Sequence, residues 1–319
     1  MFIKIVKTFL IALSCIITLG VVNAYMFVPD LQRHGEIVAY RGGGSAVNYE
    51  KLKKTGCTAL SIKASNINNS VENTLEAVAS SVAAGANVIH LNVHRTRDDQ
   101  LVVFHDWTLD CATNGSGPVH KASFEQLKSI DAGYGYTFDD GATFPFRGKG
   151  FGISKLEAFY KRYPKHEFWL NLKDNDIRSF ETLYEYLAGK KSNHIVITSS
   201  KGMDWFRNKD SSLRLASVGS VKSCGINYLL VGWAGLVPES CRNTILFIPP
   251  SMTKFFWGYP KRLASRLQSY GSDVYLWSRH ESITQSYSDV VASGIGVITS
   301  DLDFIRAAQA NKRINQDAR

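Results

Sequence analysis

The regular alternation of short apolar runs with stretches of helical period is the feature that most narrows what this chain can fold into. Helical spacing over Leu156 to Tyr163 gives way to an extended run over Glu167 to Leu172. A helix over Ile177 to Ala188 then precedes extended segments at Ile195 to Thr198 and Leu213 to Val218. The tail keeps this order: strand Thr244 to Ile248, helix Lys261 to Tyr270, strand Val274 to Trp277, helix Tyr287 to Ser293, strand Gly296 to Thr299 and a helix from Leu302. Upstream, apolar strands at Glu36 to Tyr40 and Val88 to Val93 flank a helix over Glu72 to Ala84, with Asn73 or Ser70 near its start and Gly85 at its end. Roughly eight strands, most of them followed by helices, predict an α/β domain with a parallel sheet. The strand count, and the lack of a dinucleotide fingerprint, favour a closed (β/α)8 TIM barrel in one domain over an open doubly wound sheet. The pattern is weakest from Lys201 to Ser240, where no helix stands out. Ser45 to Ser70 reads as an irregular loop over a site, and Gly133 to Gly152 as hairpin-like.

Residues 1–27 are unlike the rest. Lys4 and Lys7 precede an uncharged apolar run from Thr8 to Ala24, the layout of a secretory signal, with Val22-x-Ala24 as a cleavage site. Uncleaved, Thr8 to Val28 is just long enough to span a bilayer. The segment is therefore a signal peptide or a membrane anchor. Either exports residues 28–319, as a periplasmic protein or as a domain anchored outside the cytoplasm. Cys57, Cys111, Cys224 and Cys241 then lie where disulfides are permitted. Pairing Cys57 with Cys111 and Cys224 with Cys241 is one of three connectivities, and buried free thiols are the alternative. The formal charge of +9 favours anionic partners, phosphate groups or an acidic membrane surface. No basic run interleaved with aromatics occurs, which argues against nucleic acid.

Chemistry concentrates between Ala86 and Asp106. Val88, Ile89, Leu91 and Val93 form an apolar run in which period two places His90, Asn92 and His94 on one face. Asp98-Asp99 turns the chain into Leu101 to Phe104, which ends at His105 with Asp106 beside it. Arg41 closes the first strand and leads into Gly42-Gly43-Gly44, a run that can cradle phosphate but more commonly forms a turn. Lys173 closes the strand Leu170-Asn171-Leu172. Barrel chemistry sits at strand ends, so Arg41, the His90–His94 face, His105 and Lys173 are expected to converge at one mouth.

The phrases Ala39-Tyr40-Arg41-Gly42-Gly43-Gly44, Glu72-Asn73-Thr74, Val103-Phe-His-Asp-Trp-Thr-Leu-Asp-Cys111 and Leu170-Asn171-Leu172-Lys173, taken in order, resemble the glycerophosphodiester phosphodiesterase family. The likeness runs from about residue 37 to 175, and the repeating tail fits that family's barrel. Thr143-Phe-Pro-Phe-Arg-Gly-Lys-Gly150 and Gly232 to Thr244 resemble one bacterial branch, with a long insert before Glu-Asn-Thr. The resemblance implies a phosphoric diester hydrolase of lipid metabolism. It implies two histidines acting as general base and acid around a divalent cation, Mg or Ca, held by three carboxylates.

This chain departs from that pattern at the acids. Tyr40 stands at the first histidine position, His90 and Asn92 replace the Glu-x-Asp pair, and Asn171 replaces the Glu of Glu-x-Lys. Arg41, Glu72, Asn73, His105, Asp106 and Lys173 are retained. By resemblance the catalytic positions are thus His105 and Tyr40, and the phosphate contacts Arg41 and Lys173. The metal positions are His90, Asn92 and Asn171, with Glu72 a substitute ligand. Mg and Ca depend on carboxylate oxygens, so tight binding of either is not expected. The first expectation is a family barrel that binds a phosphodiester or phosphate small molecule with weak or lost hydrolysis, a pseudoenzyme. One alternative is an active phosphodiester hydrolase with a rebuilt site using His105 and His90, and another is a scaffold without a ligand.

Overall fold

The computed structural model describes residues 1–63, 69–190, 194–277 and 287–307, and these fall into two compact units. The larger unit comprises Glu36–Ser217 and the chain from Val297 onward; the smaller comprises Met1–Gly35 and Val218–Gly296. In chain order the helices are α1 (Phe2–Met26), α2 (Tyr49–Thr55), α3 (Leu75–Ala84), α4 (Phe124–Leu127), α5 (Leu156–Arg162), α6 (Ile177–Ala188), α7 (Ser200–Lys209), α8 (Val218–Val231), α9 (Lys261–Gln268) and α10 (Tyr287–Ala292). The strands are β1 (Ile37–Ala39), β2 (Val88–Arg95), β3 (Leu101–Val103), β4 (Ser154–Lys155), β5 (Glu167–Leu172), β6 (His194–Ile197), β7 (Arg214–Ala216), β8 (Ile245–Ile248), β9 (Asp273–Trp277) and β10 (Ile295–Thr299).

In the larger unit the parallel order is β7–β6–β5–β2–β1–β10, with β3 and β4 joined antiparallel at the end of β2. The smaller unit pairs β8 with β9, also parallel. Strand β2 sits between β1 and β5 and is buried from Val88 to His94, although His90, Asn92 and His94 alternate with its apolar residues, because both of its faces are covered. Its register with β5 sets His90 beside Trp169 and Asn92 beside Asn171. Val88, Ile89, Leu91, Phe168, Trp169 and Leu170 are fully buried, each stabilising the fold by roughly 1.5–3 kcal/mol relative to exposure. Helix α6 buries Phe180, Leu183 and Leu187, spaced at one helical face, and Asp176 caps it by accepting the Ser179 N–H.

Several local expectations change. Part of the stretch read as a loop, Ser45 to Ser70, is ordered: Asn48 caps α2, Gly56 ends it in the left-handed region, and a 3-10 turn follows at Ala59–Ser61. Residues 64–68 of that stretch lie outside the described residues. The helix expected from Glu72 begins at Leu75, because Asn73 has φ 59 and cannot continue a right-handed helix; the cap is Thr74, not Asn73 or Ser70. Lys201 to Ser240 holds most of α7 and all of α8. Their signal was weak because α8 contains two glycines and buries only Cys224 and Tyr228, leaving no apolar period. Gly133 to Gly152 forms turns, with one isolated bridge between Asp131 and Gly152. The disulfides are Cys57–Cys111 and Cys224–Cys241, with Cα separations of 5.8 and 4.7 Å.

The glycine run after β1 is a packing device. Gly43 (φ 119) lies where a Cβ would meet the Ala77 carbonyl oxygen at 3.0 Å, and Gly44 (φ 89) where it would meet the Glu72 backbone nitrogen at 2.8 Å. Only a residue without a side chain lets this turn press against α3 and the Glu72 backbone. Gly44→Val is expected to lower unfolding free energy by roughly 2–4 kcal/mol, read by chemical denaturation. Unchanged stability would show that the turn yields freely.

Candidate active site at the strand ends

Arg41 leaves β1 in the left-handed region (φ 54) and turns its guanidinium inward, where it is 3% exposed. Its Nη1 donates to both carboxylate oxygens of Glu72, at 2.9 and 2.8 Å. Burial alone would lower the Arg41 pKa, but Glu72 outweighs it and holds the guanidinium charged, well above its ordinary range. The Asn73 N–H donates to the Arg41 carbonyl at 2.7 Å, so the two left-handed residues 41 and 73 clasp each other.

His90 projects from β2 beneath this turn. Its Nδ1 accepts the Arg41 backbone N–H at 3.1 Å, and its ring stacks on Tyr40 with centroids 5.0 Å apart. Asn92 is locked to Asn73: its N–H donates to Asn73 Oδ1 at 2.9 Å, and its Oδ1 accepts from Asn73 Nδ2 at 3.3 Å. His94, next on the same face, is turned to Asp174, with Nδ1 3.3 Å from Oδ1 and its ring edge on Trp107. Asn171 stands opposite Asn92 on β5. Lys173 donates its backbone N–H to Val93 and carries its Nζ 5.4 Å from the Trp107 ring centre.

His105 follows β3, with Nδ1 2.7 Å from Asp106 Oδ1. Thr58 joins this dyad to the buried pair. Its hydroxyl lies 3.0 Å from Asp106 Oδ1, 3.2 Å from His105 Nδ1 and 3.4 Å from Arg41 Nη1. The Cys57–Cys111 bridge fixes Thr58 beside the His105 loop, and closing its span of 54 residues is worth roughly 4 kcal/mol in the chain-entropy picture. The structure thus joins Arg41, Glu72, His90, His105 and Asp106 by direct contact or through Thr58, with Tyr40 stacked on His90. Tyr136 hydrogen-bonds Glu72, and Thr58 and Asp174 are the site residues not singled out from sequence. Thr58 lies in the stretch read as irregular, and its neighbour Cys57 was the one local signal.

Electrostatics follow from two cations in a buried pocket. Burial first, then Arg41 and Lys173, push the His90 pKa down to about 3. Burial and Arg41 likewise push His105 to about 3, against the pull of Asp106. Burial and Arg41 also lower Lys173. Burial opposes ionisation of Asp106, but hydrogen bonds from His105 and Thr58 keep it below the usual carboxylate range.

The donor set does not fit a hard divalent cation. With Nδ1 accepting from Arg41, neutral His90 carries its proton on Nε2 and offers that side as a donor. Asn92 Oδ1 accepts from Asn73, and both Glu72 oxygens accept from Arg41. Among the described residues no group of three His, Cys, Asp or Glu side chains is placed to hold a metal.

Two outcomes follow. Glu72→Gln leaves the Arg41 charge buried without its counterion and is expected to cost about 3–5 kcal/mol in denaturant titrations; a loss under ~1 kcal/mol would mean the pair is not a buried ionic contact. Because both imidazoles have folded pKa values near 3 against an ordinary 6.5, the unfolded chain binds more protons between those values. Their contribution is full above about pH 6.5 and is lost as pH falls toward 3. Imidazole NMR signals of His90 and His105 should therefore not titrate between about pH 5 and 8, and titration near 6.5 would overturn the account.

Residues 56–299 match the glycerophosphoryl diester phosphodiesterase family. A glycerophosphodiester phosphodiesterase of Caldanaerobacter subterraneus is 45% identical over 247 residues, 73% of this chain and 90% of its own. The YhdW protein of Bacillus subtilis is 43% identical over 94 residues, 30% of this chain, and the match spans 35% of its length. Among solved structures, the glycerophosphoryl diester phosphodiesterase domain of Mycobacterium tuberculosis Rv2277c aligns with TM-score 0.61 at 18% identity, covering 88% of this chain and 99% of that one. An Oleispira antarctica phosphodiesterase in complex with the product sn-glycerol-3-phosphate aligns with TM-score 0.53 at 17% identity, covering 90% and 99%. These likenesses show the fold to be the expected α/β barrel of eight parallel strands in a single domain. The match over residues 56–299, with the Caldanaerobacter relative, places this chain in the glycerophosphodiester phosphodiesterase family.

Proposed function

We propose that this protein, exported and with its barrel within residues 28–319, binds a phosphate ester around Lys173 and His105 and hydrolyses phosphodiesters feebly or not at all. The observation that carries the reading is the fate of the former ligand positions. His90 Nδ1 accepts from the Arg41 N–H and so presents no lone pair to a cation, and Asn92 Oδ1, already accepting from Asn73, offers a neutral amide dipole where a hard dication depends on carboxylate charge. The family's cation would polarise the phosphoryl oxygens and stabilise charge in the displacement, and this donor set does not supply it. What remains are two mutually repelling cations, Arg41 held charged by Glu72 and Lys173 depressed by burial and by Arg41. An entering phosphate relieves the repulsion between these two cations, which favours binding.

A second reading rests on the His105–Asp106 dyad. Asp106 accepts from the Nδ1 proton and leaves Nε2 with a lone pair, the arrangement of a general base. Displacement at phosphorus also needs a proton delivered to the leaving alcohol. Only Tyr40 stands at the other catalytic position, stacked on His90.

Thermal shift and turnover separate these readings. At 100 times Kd, sn-glycerol 3-phosphate should stabilise the fold by about 2.7 kcal/mol, a rise in Tm of several degrees, and Lys173→Ala should abolish the rise. Glycerophosphodiester turnover with Mg or Ca should stay below detection. It should appear in His90→Glu/Asn92→Asp/Asn171→Glu/Tyr40→His. Wild-type turnover destroyed by His105→Ala would establish the rebuilt hydrolase instead, and no shift with any phosphate ester would leave a scaffold without a ligand.

A further inference from the structure

The smaller unit carries an apolar ledge around the end of α1. Helix α1 has 25 residues, no charge after Lys7 and no buried side chain, and its length of about 37 Å exceeds the ~30 Å hydrocarbon core of a bilayer. Its last turn is nevertheless fitted into the unit. Arg266, 7% exposed, donates through Nη2 to the carbonyls of Asn23 (2.7 Å) and Ala24 (3.2 Å) and through Nη1 to Gly235 (2.5 Å). Asn23 Nδ2 donates to the Ala234 carbonyl at 2.8 Å, and Gly20 lies so close to Trp233 that a Cβ would come within 2.7 Å of the ring. Helix C-terminal carbonyls lack partners within the helix and carry partial negative charge, so a buried guanidinium suits them. Cleavage after Ala24 would remove Asn23 and Ala24 and leave buried Arg266 short of two acceptors.

Apolar side chains crowd the solvent side of the same joint. The outward face of α8 carries Ile226 and Leu230 one turn apart, 60% and 66% exposed. Leu236 (54%), Trp257 (51%) and Phe27 (69%) extend it, and Trp257 Nε1 donates to the Leu229 carbonyl at the end of α8. Cations edge the aromatics: Arg262 stacks 4.3 Å over Tyr25, and Lys254 5.1 Å over Phe255. Leu230 and Leu236 line one shallow concavity and Trp257 bonds beside it, and exposed apolar side chains so placed, with Trp, Tyr and basic residues among them, match the chemistry of an interface with anionic headgroups.

We propose that α1 is retained as a transmembrane anchor and that this ledge docks in the headgroup layer of a phospholipid bilayer. The end of a spanning helix lies at the interface. Segments clamped to that end, the turn at Gly232–Ala234 and the last turn of α8, lie at the same depth. The inference rests on the export part of the preceding reading and is independent of phosphate-ester binding, so the two can fail separately.

The test uses the full chain carrying Cys15→Ser, disulfides intact, in vesicles of phosphatidylcholine and phosphatidylglycerol. Spin labels are placed singly at Ile226→Cys, Leu230→Cys and Trp257→Cys, with the surface position Lys128→Cys as control. The ledge labels are expected to show an oxygen-to-nickel-chelate collision ratio several-fold above that of the control. Equal ratios at all four positions would overturn docking. Dipolar broadening at the ledge, which reports a second copy seated there, would overturn it too. Protein recovered from cells beginning at Tyr25 would overturn retention of the anchor.

Discussion

The buried ion pair between Arg41 and Glu72 is the constraint around which the strand-end site is arranged. Two opposite charges removed from water are tolerated only where geometry is close and the remaining polar atoms find partners. Here the fit is achieved by bending the backbone into the left-handed region at both Arg41 and Asn73 and by a glycine turn that lets β1 press on the approach to α3. The same turn directs the Arg41 N–H at His90 and the Asn73 carboxamide at Asn92, and Arg41 Nη1 reaches Thr58 beside the His105–Asp106 dyad. One electrostatic contact thus sets the orientation of side chains from three separate parts of the chain.

On this family scaffold the polar side chains at the strand ends are largely bound to one another. Anionic ligands would offset Arg41 and Lys173 and hold a dication between them. With His90, Asn92 and Asn171 at these strand ends, burial and then the two cations hold both imidazoles neutral, and burial with Arg41 lowers Lys173. The Asn92 N–H and side-chain oxygen are both bound by the Asn73 carboxamide, while Arg41 Nε, His94 Nε2 and Asp106 Oδ2 are buried without a hydrogen-bond partner among the described residues. Among the described residues Lys173, whose ammonium is lowered by burial and by Arg41, is the cation there with no carboxylate bonded to it in an ion pair like that of Arg41, and an anionic ligand would suit it.

Much of the site was legible because it lies on regular elements. Period two along β2 fixes which face His90, Asn92 and His94 share, and the parallel alternation places the ends of β1, β2 and β5 together. Thr58 was not legible. It acts from a loop whose position depends on a disulfide and on a 3-10 turn, neither of which leaves a periodic trace. Helix α8 was hidden for a related reason: a helix that buries two side chains and leaves its other apolar residues facing outward shows no amphipathic period.

By itself, the sequence determined the α/β barrel class, the family and an apolar leader long enough to cross a membrane, because each is written in local order and spacing. Tertiary structure alone decided that Arg41 is tied to Glu72, that His90 presents a donor instead of a lone pair, that Arg266 caps the leader helix and that Cys57 pairs with Cys111. Those outcomes depend on which atoms meet across tens to hundreds of residues, and hydrogen-bond direction and burial exist only once the chain has brought them into contact.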